Sequence, residues 1–337
     1  FHKHTLYAHN GGRFDLPLLF KEALFNHDKL KIDPKGFCEL NGSYINMAVK
    51  CGKYSINFKD SLKLLPQSLD KLCKEFAVKH QKLPELVSFS DINLQNWHTF
   101  PNLDKYLKHD CYGLLEMITQ FSKVVYGDTK VNITDCFTGA TLAKKTYFQN
   151  YYNAKKYPIY TLNDEMDEYC RDSYYGGRVE CFNLGHVKKK LYYLDYTSLY
   201  PSQMVKKMPY GKPTKLNKQV CQELVNTGKF FGFVRVLVKS VDTKKLPLHA
   251  FRDPKQKKLV FKHFKNPTEL TLFSDELYRG MKTGIYEYDI LDGVQFESGA
   301  FLKKASLDSY QKKSEAGKSN NKALKQVYKI ILNSLYG

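Results

Sequence analysis

The chain has 337 residues, of which 42% are hydrophobic and 14% aromatic, so we expect two or three compact units and not a disordered polypeptide. The formal net charge of +19 predicts a polyanionic partner. Nucleic acid is the usual one, because each neutralised phosphate releases a counterion; a surface that is simply rich in lysine is the alternative explanation.

The eight cysteines are scattered, without a Cys-x-x-Cys pair, which argues against a structural zinc site and against the disulfide framework of a secreted protein. Reduced thiols in an intracellular compartment, mitochondrial or cytoplasmic, fit this pattern better. No apolar run approaches the roughly 18 residues that span a bilayer, so no membrane partner is expected. Because Phe1 stands directly ahead of an apolar strand, we expect a truncated start and no targeting peptide.

The first 150 residues mix short strands with helices. Residues 5–8 are predicted to form a strand that ends at a turn over residues 10–12. A helical apolar run over residues 16–25 follows. Alternation over residues 44–58 predicts a hairpin, and the period of residues 103–125 predicts a long helix.

The second half begins with a polar, tyrosine-rich stretch, residues 151–172, that is typical of a connection. Residues 191–195 are predicted to form a strand that breaks into a turn, followed by a short helix around residues 201–207. Residues 212–297 are expected to be β-rich and irregular, with the best strand at residues 230–238. The remainder, from residue 309 onward, is basic and helical in period.

The last predicted helix has two different faces. At 100° per residue, one face carries Lys322, Lys325, Lys329, Asn333 and Tyr336. The opposite face carries Leu324, Val327, Ile331 and Leu335. An ordinary solvated lysine face is the simplest interpretation. The ending Asn-Ser-Leu-Tyr-Gly favours instead a site for phosphates, a base and a closely approaching backbone.

Asp195 follows the predicted apolar strand at residues 191–195. A carboxylate at the carboxyl end of a strand is a common position for a ligand of catalytic metal ions. An aspartate that only caps a turn is an equally good interpretation of this residue alone.

Two sequence motifs together favour the catalytic interpretation of Asp195. Residues 195–201, Asp-Tyr-Thr-Ser-Leu-Tyr-Pro, resemble motif A of the family B DNA polymerases. Residues 329–337, Lys-Ile-Ile-Leu-Asn-Ser-Leu-Tyr-Gly, resemble motif B of the same family, and the two occur in the family's order. The long segment between them is similar to the terminal-protein-region insertion of the protein-primed branch, which is found in some phages, viruses and linear plasmids.

The motif A resemblance implies a polymerase site. Asp195 would ligate the two Mg²⁺ ions that stabilise the attacking 3′-oxygen and the leaving pyrophosphate. The Tyr196 carbonyl would lie beside the metal and the triphosphate. Tyr200 would stack under the incoming sugar and reject a 2′-hydroxyl. Gly337, at the end of motif B, would let the template-side backbone approach closely.

The motif B resemblance implies a triphosphate site on the last helix. Lys329 would reach the triphosphate as a point charge, with Lys325 and Lys313 assisting. Asn333 and Tyr336 would line the nucleotide pocket.

Tyr106 and Asp110 are four residues apart in the long predicted helix, so both side chains project from one face. Such a pair is common and usually has no function. Here it resembles the Exo III motif of 3′–5′ proofreading domains, and residues 10–15 resemble Exo II. The resemblance implies that Asp15 and Asp110 ligate metal ions and that Tyr106 orients the attacking water.

Three shorter elements imply contacts to DNA. Asn10 and Phe14 match residues that hold the frayed 3′ end of the primer. Ser61 and Leu62 match the Ser-Leu element of the same branch, which contacts single-stranded DNA. The segment Tyr174-Tyr175-Gly176-Gly177 resembles the Tyr-x-Gly-Gly motif, in which Tyr174, Gly176 and Gly177 contact the template strand; a β-turn with an exposed tyrosine is the alternative.

The resemblance implies an α/β (α+β) fold with a ribonuclease-H-like 3′–5′ exonuclease domain at residues 1–150. A connection at residues 151–183 leads to a partial palm at residues 184–211. An insertion with further palm would occupy residues 212–300, and a fingers element residues 301–337.

Some family elements have no match in these residues, namely the Asp-x-Glu of Exo I, the Tyr-x-Asp-Thr-Asp hairpin of motif C and a thumb. We therefore expect a piece of a longer DNA-directed DNA polymerase that is inactive alone. Its expected partners are primer-template DNA, deoxynucleoside triphosphates and a terminal protein, with Mg²⁺ as cofactor; priming by RNA stays open. A non-catalytic nucleic-acid-binding remnant and an exonuclease-only protein are the rival hypotheses, and the motif A and motif B pair argues against the second.

Overall fold

The computed structural model describes residues 2–25, 29–84, 92–93, 95–100, 102–253 and 258–336. The chain divides into two compact units. Unit 1 comprises residues 1–152 and 302–337, and unit 2 comprises residues 153–301. Among the described residues, no helix has both the length and the apolar character needed to cross a membrane.

Helices and strands occur in both units. The helices of the described residues are α1 Asp15–Phe25, α2 Ser61–Leu64, α3 Leu69–Glu75, α4 Leu103–Thr129, α5 Gly139–Asn150, α6 Asp164–Arg171, α7 Leu199–Met204, α8 Lys218–Asn226, α9 Ser274–Thr283, α10 Lys303–Lys318 and α11 Lys322–Ser334. The strands are β1 His2–Ala8, β2 Lys31–Leu40, β3 Ser43–Cys51, β4 Tyr54–Asp60, β5 Met208–Leu216, β6 Gly232–Ser240, β7 Ala250–Arg252, β8 Leu259–Phe261, β9 Thr268–Phe273 and β10 Tyr286–Gly299.

The sheet of unit 1 has the order β1-β4-β3-β2, with β1 parallel to β4 and the other pairs antiparallel. The predicted hairpin is confirmed: Cys51 pairs with Tyr54, so β3 and β4 are joined by two residues. Gly52 has a φ of 54°, a conformation that glycine adopts without steric cost. Leu16 of α1 packs against Met47 and Val49, so the predicted first helix is confirmed and covers the sheet.

A second core of unit 1 lies among its helices. Leu72 of α3, Phe121 of α4, Leu142 of α5 and Tyr328 of α11 all belong to one buried apolar cluster. The two predicted faces of α11 are confirmed. The five polar residues of the lysine face are exposed, whereas Val327 and Ile331 are buried. The apolar stripe therefore anchors α11 and leaves its lysine face outward.

Unit 2 is built on an antiparallel sheet with the order β5-β10-β6-β9, so the expected β-rich region is confirmed. Alternate residues of β6 are buried, as the predicted strand requires: Val234, Val236 and Val238. They share an apolar core with residues of α8 and α9, among them Cys221 and Leu277. A separate two-stranded sheet is formed by β7 and β8.

One prediction for the second half was wrong. Residues 191–195 form no strand, and Leu191 and Leu194 are 73% and 89% exposed. An apolar run is held as a strand only when a neighbour pairs its N–H and C=O groups, and no described residues pair with it. The polar stretch 151–172 contains helix α6, which begins after Asn163; the Asn163 side chain accepts a hydrogen bond from the N–H of Met166.

Candidate functional site

A buried carboxylate holds the turn that carries Asn10. Asp60, at the end of β4, is 1% exposed and accepts hydrogen bonds from the N–H groups of Asn10, Gly12 and Leu62 at 2.9, 3.2 and 2.9 Å. Asn10 has a φ of 64°, so its backbone lies in the left-handed region that asparagine tolerates. Asp60 therefore joins the turn at residues 9–12 to the beginning of α2. The sequence did not indicate this role.

His9 adds a second link between the same two segments. Its Nδ1 lies 3.0 Å from Ser61 Oγ, and its Nε2 lies 2.9 Å from the carbonyl oxygen of Gln67. Burial lowers the pKa of His9, and the opposing effects of Gln67 and Asp60 are smaller. The predicted DNA contacts Asn10 and Ser61 thus lie in one bonded cluster. Ser61 itself is fully buried there.

The beginning of α1 is open to solvent. Phe14 is 65% exposed, and Asp15, the first residue of the helix, is also exposed. The two side chains that the Exo II resemblance assigns to the primer end and to a metal ion are therefore both accessible.

Tyr106 and Asp110 project from α4 toward Lys82. The Nζ of Lys82 lies 2.9 Å from Asp110 Oδ2 and 4.9 Å from the centroid of the Tyr106 ring. Burial lowers the pKa of Lys82, but hydrogen bonds to Tyr106 and Asp110 outweigh burial and raise it overall. The sequence analysis did not identify Lys82. It lies in irregular backbone, which has no helix or strand period from which the direction of its side chain could be predicted.

The fit of this region to a metal ion depends on the donor atoms. Oδ1 of Asp110 is buried and has no hydrogen-bond partner in the part of the chain that the structure describes. An unpartnered buried carboxylate oxygen is suited to a hard cation. Within the described residues, however, no group of three or more His, Cys, Asp or Glu side chains is close enough to hold a metal ion. The donor chemistry fits Mg²⁺, and the described residues supply only part of a ligand set.

Three lysines that the motif B resemblance grouped do lie together in unit 1. Burial, and then the charges of Lys325 and Lys329, lower the pKa of Lys313. The side chain of Lys325 also passes close to Gly317 at the end of α10. Lys329 and Asn333 line a cavity of about 530 Å³. Tyr336 is 41% exposed, and Gly337 lies outside the described residues.

The segment at residues 174–178 is held by two side-chain contacts within unit 2. Tyr175 donates a hydrogen bond to the carboxylate of Glu276. Arg178 donates to the carbonyl oxygen of Pro247 at 2.6 Å, and its guanidinium lies 4.5 Å from the ring centroid of Phe261.

Tyr174, just before the first attachment, and Gly176 and Gly177, between the two, stay open. Tyr174 is 72% exposed. A Cβ added at Gly176 or Gly177 would meet nothing within 4 Å. The chain itself therefore does not require glycine at these positions, and an approaching external backbone would have the space.

The motif A residues also lie in unit 2. Asp195 is exposed, Tyr196 is 68% exposed, and Tyr200 on α7 is 53% exposed. Pro201 and Met204 are buried and anchor the short helix. The helix begins two residues earlier than predicted and also ends earlier, at Met204.

Comparisons with known proteins agree on one family. A family model described as "DNA polymerase type B, organellar and viral" matches residues 2–84 and 85–337. A probable DNA polymerase of Agaricus bitorquis is 26% identical over 99% of this chain and 45% of its own length. The DNA-directed DNA polymerase of Enterobacteria phage PRD1 is 26% identical over 60% of this chain and 30% of its own. The chain thus spans less than half the length of these curated relatives.

The solved structure of Phi29 DNA polymerase with primer-template DNA and incoming nucleotides has a similar fold, with a TM-score of 0.69. It is 20% identical, and the match covers 99% of this chain and 59% of that one. This likeness concerns the fold alone. The predicted α+β fold class is confirmed.

Proposed function

The chain belongs to the organellar and viral type B DNA polymerases, and we propose that it carries the 3′–5′ exonuclease domain and motifs A and B of a DNA-directed DNA polymerase. The observation that carries the proposal is the lysine group of α10 and α11. Burial lowers the pKa of Lys313 on α10, and the nearby charges of Lys325 and Lys329 on α11 lower it further. The opposite face of α11 is buried. A group of ammonium ions held together against their repulsion suits a polyphosphate ligand.

In the polymerase site, Asp195 would hold Mg²⁺ together with carboxylates supplied from elsewhere in the parent protein. The metal ions would stabilise the attacking and leaving oxygens of the nucleotidyl transfer. Lys329, assisted by Lys325 and Lys313, would bind the triphosphate and meet the negative charge that grows on the pyrophosphate. Asn333 and Tyr336 would border the nucleotide.

Sugar selection would depend on motif A. The exposed ring of Tyr200 would lie under the incoming deoxyribose and leave no room for a 2′-hydroxyl. The backbone carbonyl of Tyr196 would border the triphosphate, and Gly337 would allow the template backbone to approach.

In the exonuclease site, Asp15 and Asp110 would hold Mg²⁺, and Tyr106 would orient the water that attacks the phosphodiester. Lys82 would fix the Asp110 carboxylate through Oδ2 and leave Oδ1 for the cation. Asn10, Phe14 and Leu62 would form the surface that receives the frayed 3′ end, and the buried Ser61 would hold this segment in place through its contact with His9.

The finer assignments follow from the same resemblance. The β-rich part of unit 2, at residues 212–300, would be the insertion that contacts a terminal protein during protein-primed replication. Tyr174, Gly176 and Gly177 would contact the template strand. Primer-template DNA and deoxynucleoside triphosphates would be the other partners.

The proposal is tested in the full-length parent protein with primer extension and single-strand degradation measured side by side. Asp195→Asn should abolish extension and preserve degradation, because its carboxylate belongs only to the polymerase site. Asp110→Asn should do the reverse. Asp164→Asn, which changes an exposed carboxylate on α6, should affect neither. Loss of both activities in a folded Asp195→Asn protein would refute the assignment.

A further inference from the structure

Unit 1 contains a cavity of about 530 Å³ whose described walls carry lysines and glutamines but no carboxylate. One wall is the stretch from the end of α2 to the beginning of α3, with Lys63, Gln67 and Lys71. A second wall is α11, with Gln326 and Lys329. Its volume lies in the range of small-ligand sites.

The third wall is the N-terminus of the twelve-residue helix α5. The cap residue Thr138 accepts a hydrogen bond from the N–H of Thr141 at 3.2 Å. The N–H groups of Gly139 and Ala140 belong to the first turn and have no intrahelical acceptor. Such groups carry partial positive charge and bind anions readily.

Gly139 explains how this helix end comes so near α11. A Cβ at this position would lie 3.0 Å from both Ile330 Cγ2 and Ser334 Oγ, closer than side chains normally pack. Glycine therefore permits a contact that brings the first turn of α5 to the cavity.

Two amides give the cavity the character of a built site. Gln326 is only 6% exposed, lines the cavity and has no hydrogen-bond partner among the described residues. Gln67 Oε1 is likewise buried without a partner. Buried polar atoms are normally hydrogen-bonded, so Gln67 Oε1 lacks an expected partner, and the amide of Gln326 is accessible from the cavity. A ligand with polar groups would bond to both.

The lysines indicate that this ligand is negatively charged. Among the described residues, Lys63 and Lys329 form no ion pair, and the nearest carboxylate oxygen to Lys71 Nζ belongs to Glu75 at 4.0 Å. With Lys329 kept for the triphosphate, the ammonium groups of Lys63 and Lys71, a helix N-terminus and two amide side chains still favour an anion that also offers hydrogen-bonding atoms.

We propose that this cavity binds phosphate groups of a single DNA strand. The inference rests on the proposed function, since Lys63 directly follows Ser61 and Leu62, to which single-strand contacts are assigned. The strand would pass from that segment into the cavity. There Lys63, Lys71 and the first turn of α5 bind its phosphates, and Gln326 bonds to its sugar or base.

The experiment uses the 337-residue chain and a fluorescent oligothymidylate, with binding measured by anisotropy over a range of salt concentrations. The double variant Lys63→Ala/Lys71→Ala should make the slope of log K against log salt less negative by about 1.4, since each single-strand phosphate contact contributes about −0.7. Lys74→Ala/Lys79→Ala removes the same charge from exposed positions that do not line the cavity and should leave the slope unchanged. Equal slopes in the two double variants would overturn the proposal.

Gln326→Glu places a carboxylate in the cavity and should weaken oligothymidylate binding about tenfold or more. Gln326→Met keeps the approximate volume without the amide and should weaken it less. Thermal unfolding midpoints establish whether each variant folds. If Gln326→Glu does not fold, the lysine variants alone test the proposal. Unchanged affinity in a folded Gln326→Glu protein would contradict the inference.

A free triphosphate offers the same chemistry, so dATP binding is measured in parallel. If the cavity double variant weakens dATP binding but keeps the oligothymidylate slope, the anion is a free nucleotide and the strand proposal is wrong. If the wild-type chain does not bind the oligonucleotide at all, the proposed function fails as well. Binding with an unchanged slope would overturn only the inference about the cavity.

Discussion

Lys82 is paired with Asp110 in unit 1, with 2.9 Å between Nζ and Oδ2, and the other carboxylate oxygen is buried without a partner among the described residues. The same ammonium group lies 4.9 Å from the ring centroid of Tyr106. One lysine therefore contacts both residues that were assigned to the exonuclease site from α4. This contact fixes the orientation of the Asp110 carboxylate and therefore the direction in which its Oδ1 points.

In the full-length parent protein, Lys82→Met should reduce degradation of single-stranded DNA about 10- to 100-fold, because groups that orient a metal ligand have effects of that size. Primer extension should change little. The assay follows a labelled oligonucleotide without nucleotides present. Lys108→Met, which breaks an exposed pair with Asp104 on the same helix, is the matched control. Equal degradation rates in the two variants would remove Lys82 from the site.

Tyr200→Val should raise incorporation of ribonucleotides far more than it lowers incorporation of deoxyribonucleotides, because the ring acts by a clash with the 2′-hydroxyl. Single-nucleotide kinetics with matched deoxy- and ribonucleotides measure the selectivity. Tyr160→Val removes a tyrosine ring of similar exposure outside the motif and should leave selectivity as it is. Unchanged selectivity in Tyr200→Val would remove the motif A assignment at that position.

The lowered pKa of Lys313 predicts that the affinity for a triphosphate decreases as the pH rises in the alkaline range. A bound polyanion raises this pKa, so the complex takes up a proton between the free and bound pKa values, and affinity falls as pH rises through that interval. The fall should begin at lower pH than for an ordinary lysine, whose pKa is 10.5. Calorimetric titration with dATP at several alkaline pH values measures it.

Lys313→Arg stays protonated throughout and should flatten this dependence. Lys318→Arg, on an exposed position of the same helix, should keep it. If the profile of Lys313→Arg is the same as that of the wild type, Lys313 does not bind the triphosphate.

Asp60→Asn should lower the free energy of unfolding by about 1–3 kcal/mol, the cost of leaving a buried donor unpaired. Oδ2 accepts from Gly12, and an amide nitrogen in its place would present a donor to a donor. Chemical denaturation measures the change. Asp70→Asn, which affects an exposed pair with Lys74, should cost at most about 1 kcal/mol. Equal stability of the two variants would mean that Asp60 does not hold the turn.

Local pattern was sufficient for much of unit 1. The sequence predicted a hairpin at residues 44–58 and a long helix from residue 103, and both predictions were confirmed. Each pattern arises because one side of the element meets the core. The two faces of α11 were predictable for the same reason. Val327 and Ile331 are buried and Lys325 and Lys329 are exposed because one stripe of the helix packs on α4 and α5.

Long-range pairing could not be predicted in the same way. Residues 191–195 have the composition of a strand, but a strand also needs a neighbour, and composition does not name one. Asp60 and Lys82 act through groups about 50 and 28 residues away in the sequence. No local period connects residues at that separation, so their roles became visible only in the fold.

Unit 1 is interrupted in the sequence, and this order affects how the protein emerges from the ribosome. Leu142 of α5 and Phe121 of α4 form their core with Val327 and Tyr328, which are translated only after all of unit 2. At 5–20 residues per second, the apolar surface that α11 later covers remains exposed for roughly 9–37 s. Until α11 arrives, nascent chains expose a hydrophobic surface of the kind that chaperones bind, so slower translation of unit 2 should increase aggregation of the nascent protein.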